Sequence, residues 1–465
     1  MTGKKFLAVW AAMGLAFLAI ASGGGCGGSP SGGANYRDQF IDAVGDVVDD
    51  LQAIADSAVS NRKVITAIND IATQYLVSSG DTTVTDRAIG KTLMAKNVTS
   101  QDIKDNPSFD KAVFVHIWDG NHITVENNKV KTFEIDKSDF QLTITGSDGH
   151  VTKLTITPTS TDGYWQAFSG ASALLNALYG KALTGIFGKH NYLVFAYTYA
   201  SVNLKVEYDG TTLLDGMLSV SYPGKKPKDK VYLNTPHTKT YALTLYPQDN
   251  KDYTVGIDIK RVVTSSGSDS VSNTTALKMY RKGSVNTTIL EVNEGLDATV
   301  PSGSTRPSAA SLTALDLNIA NRIRLAESSS LDLVSLMGLY VTGTSATEET
   351  IKSNVANINT LLSNAGLSVY LNKSTTRAGD VRALAGKIGG YNHARLGIQF
   401  VGASEPELVR DIANPDDMKQ LRTLIGSVSA QVQALAGLLT NTGLLGDVTS
   451  NEIIQIIFND LFGTD

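Results

Sequence analysis

The chain has 465 residues, a formal net charge of −5, one cysteine, 42% hydrophobic and 18% charged residues. A single cysteine excludes an intramolecular disulfide framework and the metal centres built on several thiolates. A mildly acidic chain is a poor nucleic-acid binder, since phosphate neutralisation needs clustered Lys and Arg, and no nucleic acid is expected as a partner. The length allows a large core or two to three domains.

Lys4 and Lys5 precede an uncharged apolar run from Phe6 to Ala21, followed by SGGGCGGSPSGG around Cys26. A basic start, an apolar run shorter than the roughly 20 residues of a spanning helix, and a small-residue exit make a secretory signal. Over residues 1–26 this segment resembles bacterial lipoprotein signals, with Gly25 directly before the cysteine. The resemblance implies removal of residues 1–25 and acylation of Cys26. The membrane then becomes a partner at the bacterial cell envelope, the outer membrane in preference to the inner. Each buried CH₂ contributes about 0.8 kcal/mol, so several acyl chains hold firmly. Ala19-Ile20-Ala21 is also an A-x-A site, and cleavage there leaves a soluble periplasmic protein with a free thiol. Residues 26–35 read as a Gly/Ser-rich tether.

The region 36–106 reads as helical. Phe40, Val44, Val47, Val48, Leu51 and Ile54, then Val64, Ile65, Ile68 and Ile71, recur three and four apart. Gly90-Lys91-Thr92 imitates the tail of a phosphate-binding loop, but Thr85 stands where the earlier glycine belongs.

From Lys111 the period falls to two, and 107–303 reads as an antiparallel β region. Phe140, Leu142 and Ile144 share one face, Ser147-Asp148-Gly149 turns the chain, and Leu154 and Ile156 continue the face. Residues 163–188, with one base and no acid, read as an apolar helix capped by Asp162, its stripe including Trp165, Phe168, Leu175 and Tyr179. In the next segment, Tyr192 to Tyr208, the even positions are nearly all apolar. Its odd positions change from Leu193, Phe195, Tyr197 and Tyr199 to Ser201, Asn203, Lys205 and Glu207. At about 3.3 Å per residue it would reach roughly 56 Å, so it must bend, break or belong to a long curved sheet. Asp209-Gly210 and Asp215-Gly216 read as turns, SYPGKKPKDK as a solvated basic loop, and Tyr253, Val255, Ile257 and Ile259 as a one-sided strand. The polar stretches SSGSDSVSN and VPSGSTRPSAAS read as loops, the second a domain boundary; Ser311 to Leu325 fits helix and strand equally.

The remainder, 304–465, reads as mainly helical. Ser345-x-x-Glu348, Ser404-x-x-Glu407 and Thr449-x-x-Glu452 have capping-box spacing, Asn414-Pro415 starts a helix, and Leu421, Leu424, Val428 and Leu435 share a helical face. Ala394, Leu396, Ile398 and Phe400 form one strand face between the helices.

Chemistry is sparse. No HExxH or complete nucleophile signature occurs, and no cofactor, metal ligand set or catalytic residue is assigned. His116 and His122 would share a sheet face across a three-residue Asp119-Gly120-Asn121 loop, but no third ligand accompanies them. Ten tyrosines fall between Tyr192 and Tyr280, which suits sheet packing or an exposed binding face. The expected fold is α+β, a large curved antiparallel sheet with an embedded apolar helix, flanked by N- and C-terminal helices. The expected role is non-catalytic: an envelope lipoprotein enclosing an apolar or lipid-like ligand, lined by Trp165, Phe168, Leu175, Phe195 and Tyr197. The alternatives are a surface module binding glycan or another envelope protein, and a hydrolase whose site is assembled from distant residues.

Overall fold

A computed structural model describes residues 36–39, 66–67, 70, 93–94, 111–116, 122–126, 129–134, 139–168, 192–232, 235–246, 253–263, 268–281, 287–301, 308–318, 321–340, 346–371, 375–388 and 391–408. In chain order the first strands are β1 (Leu93–Met94), β2 (Lys111–His116), β3 (His122–Glu126), β4 (Lys129–Glu134), β5 (Phe140–Thr145), β6 (Val151–Pro158), β7 (Gly163–Phe168) and β8 (Tyr192–Tyr199). There follow β9 (Ser201–Tyr208), β10 (Thr211–Ser221), β11 (Lys230–Val231), β12 (His237–Leu245), β13 (Tyr253–Val263), β14 (Ser268–Arg281) and β15 (Thr287–Pro301). The last elements are β16 (Ala309–Asn318), β17 (Arg322–Arg324), β18 (Leu331–Asp332), helices α1 (Leu333–Tyr340) and α2 (Glu348–Ala365), then β19 (Ser368–Tyr370), β20 (Arg377–Ile388), β21 (Tyr391–Phe400) and β22 (Glu407–Leu408).

Two sheets result. The smaller has the order β1-β2-β8-β7-β11, with parallel pairs β2–β8 and β7–β11. In the larger, pairing runs β4-β3-β5-β6-β9-β10-β12 and on through successive neighbours to β17, then β19 to β22, with β18 beside β16. Among the described residues no backbone pairing joins β22 back to β3 or β4, so the described part of this sheet has two ends. The fold is therefore sheet-rich and mainly antiparallel, as expected for residues 107–303, and the sheet continues well beyond them.

The long apolar segment 192–208 breaks at Ala200. Its doubly apolar half is β8 of the smaller sheet, and its alternating half is β9 of the larger one. Ala200 holds both sheets together: its N–H donates to the Asp162 carbonyl at 2.8 Å and its carbonyl accepts from Val220 N–H at 2.8 Å. In β9 the even positions Val202, Leu204, Val206 and Tyr208 are buried, and the register places Leu204 and Val206 against Ile156 and Leu154 of β6. Phe140, Leu142 and Ile144 extend that face from β5, and Leu214, Leu218, Tyr241 and Leu243 extend it on the other side. Each large apolar side chain removed from water contributes about 2 kcal/mol, so this continuous face is the main source of cohesion.

Several expected turns are present. Asp209 and Gly210 both have positive φ, 47° and 78°, and join β9 to β10 as a tight hairpin. Gly149, at φ 88°, closes the Gly146–His150 turn between β5 and β6. Asp215-Gly216 is a correction, because both residues lie inside β10. The glycine serves close approach there, since a Cβ would stand 2.8 Å from Leu243 Cα on β12.

Four further expectations are overturned. Residues 163–168, read as the start of an apolar helix capped by Asp162, form β7, and the Asp162 carbonyl serves sheet pairing; residues 169–188 lie outside the described residues. The boundary at 303/304 falls within a hairpin, since β15 and β16 pair antiparallel and Ser308 N–H donates to Thr299 carbonyl at 2.8 Å. The polar run SSGSDSVSN enters β14, and from Ser268 to Asn273 its register with β15 is unbroken. The described part of 304–465 is mostly strand, including β16, β17, β20 and β21, which resolves Ser311 to Leu325 in favour of strand.

The helix α2 is present, but its cap is Thr347 rather than Ser345: the Thr347 hydroxyl accepts from Thr350 N–H at 3.2 Å. Gly366 ends it at φ 63°. Ser404-x-x-Glu407 starts no helix, because Glu407 belongs to β22. Ile351, Ile358 and Leu362 bury one face of α2, which packs on β20 and β21. In the N-terminal region Tyr36–Gln39, Thr66, Ala67 and Asp70 are helical, and Ala67 is buried. The helices expected from Asn414 and Leu421 and the Thr449 capping box lie outside the described residues, as does the tether with Cys26.

Candidate functional site

The aromatic residues of β7 and β8 are the part of the expected lining that the structure brings together. Aromatic side chains suit a pleated strand, and antiparallel pairing puts Trp165 directly opposite Tyr197 and Ala167 opposite Phe195. The Trp165 and Tyr197 rings meet edge to face with centroids 5.1 Å apart, and Tyr197 meets Tyr199 at 5.3 Å and 89°. Phe195 packs edge-on against Tyr232 at 5.9 Å, with the Lys230 ammonium 5.7 Å above its ring. Exposure is 0% for Phe195 and 5% for Tyr197, while Trp165 is half-buried at the margin. The Tyr197 hydroxyl donates to the Thr161 carbonyl at 2.9 Å, so its polar tip is satisfied. Phe168 falls on the alternate register, opposite Val194, and is not in the Trp165–Tyr197 row. Leu175 lies outside the described residues.

Gly163 makes this stack possible. A Cβ there would stand 2.5 Å from the Thr198 carbonyl oxygen and 2.8 Å from the Tyr197 ring. Behind it, Tyr164 joins Tyr222, Val220 and Val231 in a small core between the two sheets, its ring 4.8 Å from Tyr222. Burial, reinforced by Tyr164, pushes the Tyr222 phenol far above its ordinary value, so it stays neutral.

Sequence reasoning missed a second cluster. His150 Nε2 lies 2.8 Å from Asp70 Oδ2, its Nδ1 bonds Asp148 Oδ1, and its ring stacks on Tyr208 at 4.9 Å and 12°. Thr152 donates to the same Asp70 oxygen at 3.1 Å. Burial alone would lower the histidine pKa, but the bonds to Asp70 and Asp148 outweigh it and hold it above 6.5. Both ring nitrogens face carboxylates, so the imidazolium is a double donor with no nitrogen left to accept a substrate proton. The cluster fastens the helical residue Asp70 to the sheet. Only the Asp148-Gly149-His150 spacing could have hinted at it; Asp70 is 80 positions from His150.

Glu294 was also not anticipated. It is 4% exposed on β15, on the core side of the sheet opposite Leu315, and its Oε2 finds no hydrogen-bond partner among the described residues. Burial pushes its carboxyl well above the ordinary range and so favours the neutral acid.

The His116 and His122 pairing is corrected. His116 ends β2 of the smaller sheet, whereas His122 begins β3 of the larger one and bonds Asp139 at 2.9 Å. Among the described residues, no group of three or more His, Cys, Asp or Glu could hold a metal ion. Of the tyrosines between 192 and 280 whose side chains are described, Tyr197, Tyr208, Tyr222 and Tyr241 are buried, and Tyr199, Tyr232, Tyr246 and Tyr280 are half-buried. That weakens an exposed tyrosine face for glycan. No family model, curated protein or solved structure matches the chain.

Proposed function

We propose that the protein is a non-catalytic envelope lipoprotein, anchored through Cys26, that holds an apolar or lipid-like ligand against the β7–β8 aromatic row. The observation that supports this most is the edge-to-face run Trp165, Tyr197 and Tyr199 beside the fully buried Phe195, with Trp165 at the accessible margin. Aromatic rings supply a large apolar contact area at low side-chain entropy cost, and Trp165 and Tyr199, half-buried, are the members of the row left to meet a ligand.

The test is organic-solvent extraction of the purified protein followed by lipid mass spectrometry, together with titration of a fluorescent fatty acid. Retained lipid and saturable uptake, weakened by Trp165→Ala, are expected. No extracted lipid and no uptake would remove the reading. Mass spectrometry of the mature N-terminus tests the anchor separately: a diacylated or triacylated Cys26 is expected.

A further inference from the structure

The loop between β10 and β11 is two proline-led turns in series. Lys225 N–H donates to the Tyr222 carbonyl at 3.0 Å across Pro223-Gly224, and Asp229 N–H donates to the Lys226 carbonyl at 3.0 Å across Pro227-Lys228. Proline at the second position with positive φ at the third is the type II pattern, which favours glycine at that third position. The first turn has glycine there, Gly224 at φ 73°. The second has a lysine, Lys228, at the same φ of 73°. A long cationic side chain thus occupies a backbone position that glycine fits without strain.

The loop is also fastened. Lys226 N–H donates to Asp229 Oδ2 at 2.7 Å, Lys228 N–H to the Gly163 carbonyl at 2.6 Å, and Trp165 N–H to the Asp229 carbonyl at 3.0 Å. Lys225, Lys226 and Lys228 are all exposed. Among the described residues none of the three makes an ion pair. The Asp229 carboxylate is turned onto the loop backbone, and Trp165 is half-buried alongside. Three cations are therefore displayed on a fastened loop next to a half-buried indole, within a chain whose net charge is −5. A basic cluster beside an indole suits an anionic lipid–water interface, where the ring sits at headgroup depth and the ammonium groups meet phosphates.

We infer that the 225–228 loop is a docking surface for an anionic bilayer: Lys225, Lys226 and Lys228 engage phosphate headgroups, and Trp165 enters the interface beside them. The inference rests on the envelope reading, since the tether would hold the folded body close to a membrane. Docking at this loop would also place the β7–β8 row against the lipid from which its ligand is drawn.

The test is co-sedimentation of the full chain with vesicles of phosphatidylcholine alone and with vesicles containing added phosphatidylglycerol. It compares the natural chain with the variant carrying Lys225→Ala, Lys226→Ala and Lys228→Gly. Both carry the same N-terminus, so their difference reports the loop alone. Each lysine near a charged surface contributes about 1 kcal/mol, or about fivefold in partitioning. The natural chain is expected to gain on the phosphatidylglycerol vesicles, to lose that gain as salt rises, and to exceed the variant by about a hundredfold. Lys228→Gly keeps the φ of 73° available, so the variant retains the turn; an unchanged melting midpoint verifies this. Equal partitioning of both chains overturns the inference. So does saturable, lysine-dependent binding of free inorganic phosphate without vesicle retention. Neither result bears on acylation of Cys26 or on fatty-acid uptake, which are read independently.

Discussion

The side-chain amide of Asn359 on α2 grips the backbone of Ala383 on β20 twice: Ala383 N–H donates to Asn359 Oδ1 at 2.7 Å, and Asn359 Nδ2 donates to the Ala383 carbonyl at 3.0 Å. β19 covers β20 from Arg377 to Asp380 and Val381 N–H still donates to the Leu367 carbonyl at 3.1 Å, so the outer edge of β20 would present unpaired groups from Ala383. Asn359 substitutes for one residue of a missing neighbour strand. Asn359→Ala is expected to cost about 2–3 kcal/mol, near 1 kcal/mol or more for each lost bond. Urea denaturation measures the loss, and hydrogen exchange should show the Ala383 amide opening faster.

His150 makes stability depend on pH in two directions. Its pKa is raised above 6.5, so its contribution is whole below 6.5 and is lost as pH rises through the folded value. Asp148, lowered below 3.8 chiefly by its bond from His150, contributes above 3.8 and loses that contribution as pH falls through its folded value. The clamp is therefore strongest between those limits. His150→Gln is expected to cost about 2 kcal/mol at pH 5 and less at pH 9, because charge-assisted bonds are lost. Denaturation midpoints across pH for both chains measure the difference.

Glu294 gives the opposite experimental signature to a salt-bridged acid. Its folded pKa lies well above 4.5, so the native state keeps a proton that the unfolded chain releases, and stability falls as pH rises from 4.5 through the folded value. Glu294→Met, similar in bulk and without the orphan oxygen, is expected to stabilise the protein by about 1–3 kcal/mol at neutral pH. It should also remove the fall in stability with rising pH that Glu294 causes, read by guanidinium denaturation.

Gly163 sets the spacing of the aromatic row. Gly163→Ala places a methyl group against the Thr198 carbonyl and the Tyr197 ring, and β7 cannot retreat without breaking its register with β8. A cost of about 1–3 kcal/mol is expected. Near-ultraviolet circular dichroism should show a weaker aromatic signal, and fatty-acid uptake should fall with it.

Local signals carried much of the strand architecture. Phe140, Leu142 and Ile144 alternate because a half-buried strand has a period of two, and that alternation survives in the burial of β5. Asp209-Gly210 was readable as a turn because those residue types tolerate positive φ. Asp215-Gly216 has the same chemistry and misled, because the demand for glycine came from β12 approaching from another part of the chain. The 163–168 segment misled likewise: its apolar residues fit a helical stripe, yet β8 and β11 lie on either side of it and pair with its backbone.

The candidate site divides in the same way. Trp165, Phe195 and Tyr197 stood out as apolar aromatics in their own segments, and their adjacency follows once β7 and β8 pair. The His150 cluster was not legible, since Asp70 reaches it from a distant helix, and neither was Glu294, whose burial depends on neighbouring strands.

Where strands alternate, where the chain can reverse, and the export-signal pattern of the opening residues are all legible along the chain, because each follows from the chemistry of a few neighbouring residues. Contacts between distant segments set the division of 192–208 between two sheets, which glycine is a turn and which a point of contact, and which acids meet a histidine. Those outcomes depend on what the rest of the chain brings alongside, and no local pattern encodes that.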